Sequence, residues 1–242
     1  MCTVSLVPGN NGYFITSNRD EKKIRGRAVP PAIYPYKGAR LLYPKDADAG
    51  GTWMAFNDNG NAAVLLNGGF IKHIPAPPYA RSRGLVLLDI IAAEKPFQFF
   101  SEMVLTRIEP FTVVILEQGS FYECRWDGIQ KHLKQLREDQ SYIWSSVTLY
   151  DADHIRKRES WFANWIAENP APSQDSIMAF HRFTGDGDKE NDLCMNRDGK
   201  MLTVSITSIG IQSGKGIMQY HDLGSDTVYR AELLFSPMVT IS

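Results

Sequence analysis

Two stretches of alternating apolar residues, each broken by a tight-turn motif, precede any helical pattern and commit the front of the chain to antiparallel sheet. In MCTVSLVPGNNGYFITSNRDE, Cys2, Val4 and Leu6 alternate with Thr3 and Ser5, PGNNG interrupts, and YFITSN resumes the pattern. If Asn10-Asn11 form the turn, Val7 faces Phe14 and Cys2 faces Arg19; a slip of one residue brings Asn18 or Asp20 opposite Cys2. Each register sets Asn18, Arg19 and Asp20 beside the thiol, since side chains opposed across a hairpin lie about 4.5–5.5 Å apart at Cβ. Alone in its stretch, Cys2 also reads as a small packing residue that opens a buried strand.

The second stretch is GGTWMAFNDNGNAAVLLNGG. Asn59-Gly60 suits a two-residue type I′ turn, which pairs Asp58 with Asn61 and places Thr52 opposite Asn67. Between the two hairpins, residues 22–50 are basic, then proline-rich, and read as a long surface loop. Helical spacing begins at Ser82, a candidate N-cap, with Leu85, Leu88, Ile91 and Ala92 on one face. Pro96 opens a second short helix with Phe97, Phe100 and Val104. Strands follow in FTVVILE, SFYECRW and SYIWSSVTL. Residues 151–168 form the strongest helix, with Ile155, Trp161, Phe162 and Trp165 on an apolar stripe, and another runs from Ser173 to Phe183. KMLTVSITSIGI and a strand pair around MQYHD and TVYRAELLF close the chain. This order suits an α+β fold of two sheets covered by helices, in a single domain over residues 1–242 without internal repeat.

The formal net charge of -1 removes a general electrostatic case for nucleic acid or an anionic membrane surface. No apolar run approaches the roughly 20 residues that span a bilayer. The N-terminus lacks a signal-peptide pattern, so a cytoplasmic protein is expected. Cys2, Cys124 and Cys194 are too scattered for a disulfide framework. The acidic TGDGDKEND segment misses the spacing of a calcium loop and reads as a solvated turn. The histidines have no metal-ligand spacing, and His181, beside Phe180 on a predicted helix, reads as a packing residue. No metal or cofactor is expected, and the expected partner is a small-molecule substrate or ligand.

The Met-Cys start, SNRDE after one hairpin turn, GGTWMAFNDNGNAAVLLN and SRGLVLL together resemble the NRDE family, also called the transport-and-Golgi-organisation family. The resemblance is best over roughly the first ninety residues. That family is similar to the N-terminal-nucleophile hydrolases of the choloylglycine hydrolase and penicillin V acylase type. The resemblance implies a four-layer αββα sandwich and cleavage of linear C–N amide bonds by a cysteine freed at the N-terminus. It implies a second possibility too, a ligand carrier on the same fold, because the family has been linked to trafficking and haem handling.

The chemistry fits the residues. An α-amino group has an unperturbed pKa near 7.7–8.0, close to what a base needs at neutral pH. Borne on Cys2 beside the thiol, it would take the thiol proton directly or through a water. Asp20 would orient the amine, and the Asn67 amide would donate to the tetrahedral intermediate. Asn18 would support the loop or add a polar contact. Two departures stand out. The related hydrolases carry an arginine three positions before the aspartate, where this chain has Ser17. Arg19, next to Asp20, belongs on the opposite face of a regular strand and suits a salt bridge. They also use a second asparagine from a mid-chain strand, where WSSV leaves Ser145 or Ser146 to substitute.

Overall fold

In the computed structural model, which describes residues 3–236, the first hairpin takes the register its turn chemistry predicts. β1 (Thr3–Gly9) and β2 (Gly12–Lys22) flank Asn10-Asn11, with Val7 opposite Phe14 and Thr3 opposite Asn18. Cys2 lies outside the described residues. The 22–50 region differs from the expected loop: it holds β3 (Val29–Tyr36) and β4 (Ala39–Lys45). β3 is an edge strand with Pro30 and Pro31 at a register shift, a place where missing N–H donors cost the ladder nothing.

The second hairpin is β5 (Met54–Asn57) and β6 (Ala62–Asn67), and its register departs by one residue from the predicted one. Phe56 pairs with Ala62, leaving the three-residue loop Asp58-Asn59-Gly60, so Asp58 is unpaired with Asn61 and Thr52 is not opposite Asn67. The cause is Asn57. Its Oδ1 accepts from the Asn59 and Asn61 N–H groups at 3.0 Å each, which stabilises the wider loop, and Gly60 supplies φ +81° at its end.

α1 (Arg83–Ala92) starts at the Ser82 cap as expected, and α2 (Pro96–Glu102) has Pro96 in its first turn. β7 (Phe111–Glu117) and β8 (Ser120–Trp126) follow, then β9 (Lys131–Leu136), a polar edge strand with no alternating signature. β10 (Tyr142–Ser145) leads to α3 (Ala152–Glu168) and α4 (Gln174–Phe183), capped by Asp151 and Ser173. The remaining strands are β11 (Asn196–Arg197), β12 (Met201–Gln212), β13 (Lys215–Asp222) and β14 (Thr227–Leu234).

These strands form two antiparallel sheets. One runs β10-β1-β2-β12-β13-β14, with β11 beside β12, and the other runs β3 to β9 in sequence order. Their inner faces meet through Val4, Leu6, Ile15, Phe56, Val64, Ile209 and Met218. α1 and α2 cover the outer face of the second sheet through Leu87, Ile91 and Phe100, while α3 and α4 cover the first through Phe162, Ile177 and Phe180. The layers are therefore αββα. Gly51 and Gly84 let α1 approach the second sheet closely: a Cβ on Gly84 would sit 2.8 Å from the Thr52 carbonyl oxygen. Among the described residues, no helix is long and apolar enough to cross a membrane.

Candidate functional site

The strand β2 delivers the NRD residues to two different faces, as its alternation requires. Arg19 points between the sheets. Its Nη2 donates to Asp46 Oδ2 at 2.7 Å, and its guanidinium lies 4.7 Å from the Trp53 ring centroid. This is the salt-bridge role foreseen for it. Burial alone would raise the Asp46 carboxyl pKa, but Arg25, the Ala49 N–H and Arg19 outweigh that and hold it below the usual range.

Asn18 and Asp20 point the other way, toward α3 and α4, and both are buried. Asp20 accepts from the Tyr150 hydroxyl at 2.8 Å and the Thr203 hydroxyl at 2.5 Å. Asn18 Nδ2 donates to the carbonyls of His181 (3.1 Å) and Leu193 (2.7 Å), while Asn18 Oδ1 accepts from His181 Nδ1. The Ser5 hydroxyl then donates to His181 Nε2 at 2.7 Å, which assigns the ring its neutral Nδ1–H form. Asn18 is thus a clamp that ties α4 to the sheet, and it does not line the cavity described below.

His181 is fully buried, and that burial, with the Arg158 charge nearby, pushes its pKa down to about 3. The unfolded chain binds a proton near pH 6.5 that the native state refuses, so stability is full above that pH and falls as pH drops toward 3. Between pH 6.5 and 5 the loss from this group should be about 1.6 kcal/mol. Urea denaturation of wild type and His181→Gln over this range checks it: the wild type should lose more stability than the variant, and parallel losses would refute the assignment.

Asn67 ends β6, and its backbone is held without help from its side chain. The Ser146 hydroxyl donates to the Asn67 carbonyl at 2.8 Å, and Asn67 pairs with Phe111 on β7. Ser146 also bonds Thr148, so it braces the loop, whereas Ser145 pairs with Thr3 across β1 and β10. Asn67, Ser145 and Ser146 share a small crevice. Arg19 and Asn67 also meet on a cavity of about 400 Å³ beside the start of α1, walled by Arg25, Trp53, Tyr79 and Arg83. Burial lowers the Arg83 pKa, and its Nη2 lies 3.0 Å from Glu109.

The structure therefore brings Arg19, Asn67, Ser145 and Ser146 near the start of β1, with Asn18 and Asp20 behind the sheet. The sequence reading missed Tyr150, Thr203 and Arg158. Arg158 stacks over Tyr150, its Cζ 3.5 Å from the ring centroid, and donates to Thr3 Oγ1 at 2.5 Å. Its position three residues after Ile155 and four before Phe162 was the available signal, a charge on an apolar stripe. The acidic turn behaves as expected: Asp192 Oδ1 accepts from the Asp186 N–H, and Asp186 pairs with Lys157. Among the described residues, no group of three His, Cys, Asp or Glu is placed to hold a metal ion.

This fold has known counterparts. A variant conjugated bile acid hydrolase from Clostridium perfringens superposes with a TM-score of 0.60 at 12% identity, over 96% of this chain and 92% of that one. The Caenorhabditis elegans ortholog of N-acylethanolamine-hydrolyzing acid amidase gives a TM-score of 0.61 at 10% identity, over 86% of this chain and 92% of that one. At such identities the likeness is one of fold. No curated protein matches the sequence. The family model for Transport and Golgi organisation 2 matches residues 1–221, and the chain belongs to that family.

Proposed function

We propose that the chain is a cysteine N-terminal-nucleophile hydrolase acting on a small linear amide or a related acyl compound. Loss of Met1 would free the Cys2 amine as base. The thiolate would attack the acyl carbon, the Asn67 amide would stabilise the oxyanion, and the amine would leave with the proton. Water would then hydrolyse the thioester. The observation that carries this reading is the meeting of Arg19 and Asn67 on one cavity, with Thr3 set opposite Asn18 where β1 begins. Asp20, held by Tyr150 and Thr203, is the proposed orienter of the amine. The fold shared with two amide hydrolases supports the same reaction class.

Intact mass of protein from its native host, followed by a turnover screen of acyl amides, tests the proposal; retained Met1 would remove the base. The thiols give a second test. Burial, chiefly, raises the Cys124 pKa to about 12, and burial likewise raises that of Cys194. Cys2 in processed protein should react with iodoacetamide at least about tenfold faster than either, because only the thiolate is nucleophilic. Equal rates at the three sites, read by peptide mass spectrometry, would reject an activated Cys2.

A further inference from the structure

A second cavity, of about 380 Å³, adjoins the first across a shared wall of Arg19, Glu21 and Arg25. The segment after β2 builds its rim. Arg19, Lys22, Lys23, Arg25 and Arg27 line it against two carboxylates, Glu21 and Asp222, while Leu202, Val204, Leu223 and Tyr220 give it an apolar lining.

The charges on this rim are unevenly satisfied. Asp46 takes Arg19 and Arg25 from the side of the first cavity, and Arg27 Nε donates to Asp222 Oδ2 at 2.6 Å. Lys22 and Lys23 are exposed, and neither ammonium has an ion pair among the described residues. Clustered like charges raise the local potential, and a bound anion relieves it. An apolar lining under such a rim also favours an anion on a carbon stem over solvent alone.

We infer that this second cavity is an anion site, taking the carboxylate or phosphate group of a small organic ligand whose stem lies against the apolar lining of Leu202, Val204, Leu223 and Tyr220. The inference concerns binding and stands apart from turnover, so the loss of either reading leaves the other intact.

Calorimetric titration of the full chain at low salt tests it, with glutarate and pyrophosphate as probes and neutral 1,5-pentanediol as control. At least one anion should bind saturably and the diol should not, and the affinity should weaken as added salt shortens the screening length. Tighter glutarate binding would identify a carboxylate ligand, and tighter pyrophosphate binding a phosphate. Lys22→Gln with Lys23→Gln should raise Kd at least fivefold, about the loss expected of two solvated ion contacts, while Lys134→Gln on exposed β9 should not change it. Should the double variant fail to fold, the wild type still decides the matter by NMR. The anion should shift the ring signals of Tyr220, which lines this cavity, more than those of Tyr79, which lines the first. Absence of saturable binding, equal affinity in the folded double variant, or shifts confined to Tyr79 would overturn the inference.

Discussion

Asn67→Ala should lower kcat by 10²- to 10³-fold, about 2.7–4 kcal/mol in the chemical step, with little change in melting temperature. The two halves of this expectation have separate causes. The proposed oxyanion donor is the side-chain amide of Asn67, a residue that lines the cavity with Arg19. The backbone is fixed by other means: Ser146 holds the Asn67 carbonyl, and the next residue's N–H donates to Pro110 at 3.0 Å. Removing the amide therefore leaves the strand end in place. Steady-state kinetics and thermal unfolding of the variant, once the turnover screen has supplied a substrate, decide the point. A raised KM with kcat spared would mean that Asn67 binds the ground state and the transition state equally. An unchanged kcat in a folded variant would take it out of the mechanism. A large drop in melting temperature would make it a structural residue.

How far such a site can be read before its structure is known depends on the range of the interactions that build it. The first hairpin was legible down to Val7 opposite Phe14, because turn residues and alternation agree on one register. The second was legible as a hairpin but not in register. Asn-Gly chemistry suits two-residue and three-residue loops alike, and the choice falls to the Asn57 side chain, whose Nδ2 is occupied by the Ile91 carbonyl on α1. β3 was hidden by its prolines and β9 by its charge, both marks of edge strands that local pattern does not separate from loop. The four-layer order was visible because two blocks of strands alternate with two of helices. Opposite directions for Arg19 and Asp20 followed from strand geometry alone. Their partners did not, since Asp46, Tyr150 and Thr203 come from distant segments that only the sheet topology gathers. Asn18 shows the same limit. Its motif suggested loop support or an added polar contact, and only the fold shows that its side chain bonds His181 and Leu193.

Arg158→Ala should cost on the order of 3–5 kcal/mol of stability, the largest loss expected of any single change considered for this chain. Only 1% of Arg158 is exposed, and among the described residues no carboxylate lies within ion-pair distance of it. Its charge is solvated by neutral groups: the Thr3 hydroxyl, the carbonyls of Asn191 and Asp192 at 3.0 and 2.8 Å, and the Tyr150 ring. Truncation leaves the buried Thr3 hydroxyl and two partly buried carbonyls without this donor and opens a void beneath the Tyr150 ring, so two penalties add. Arg158→Met separates them, since it fills much of the void while still forfeiting the hydrogen bonds, and it should cost less than the alanine variant. Urea denaturation of both variants measures the difference. The contact with Thr3 makes the result bear on the site as well, because Thr3 anchors the start of β1 opposite Asn18, and Tyr150 donates to Asp20. In the methionine variant, folded but without the Thr3 anchor, kcat should fall while the melting curve remains cooperative. An alanine variant within about 1 kcal/mol of wild type would show that water replaces the guanidinium there, and the anchoring role would fall with it.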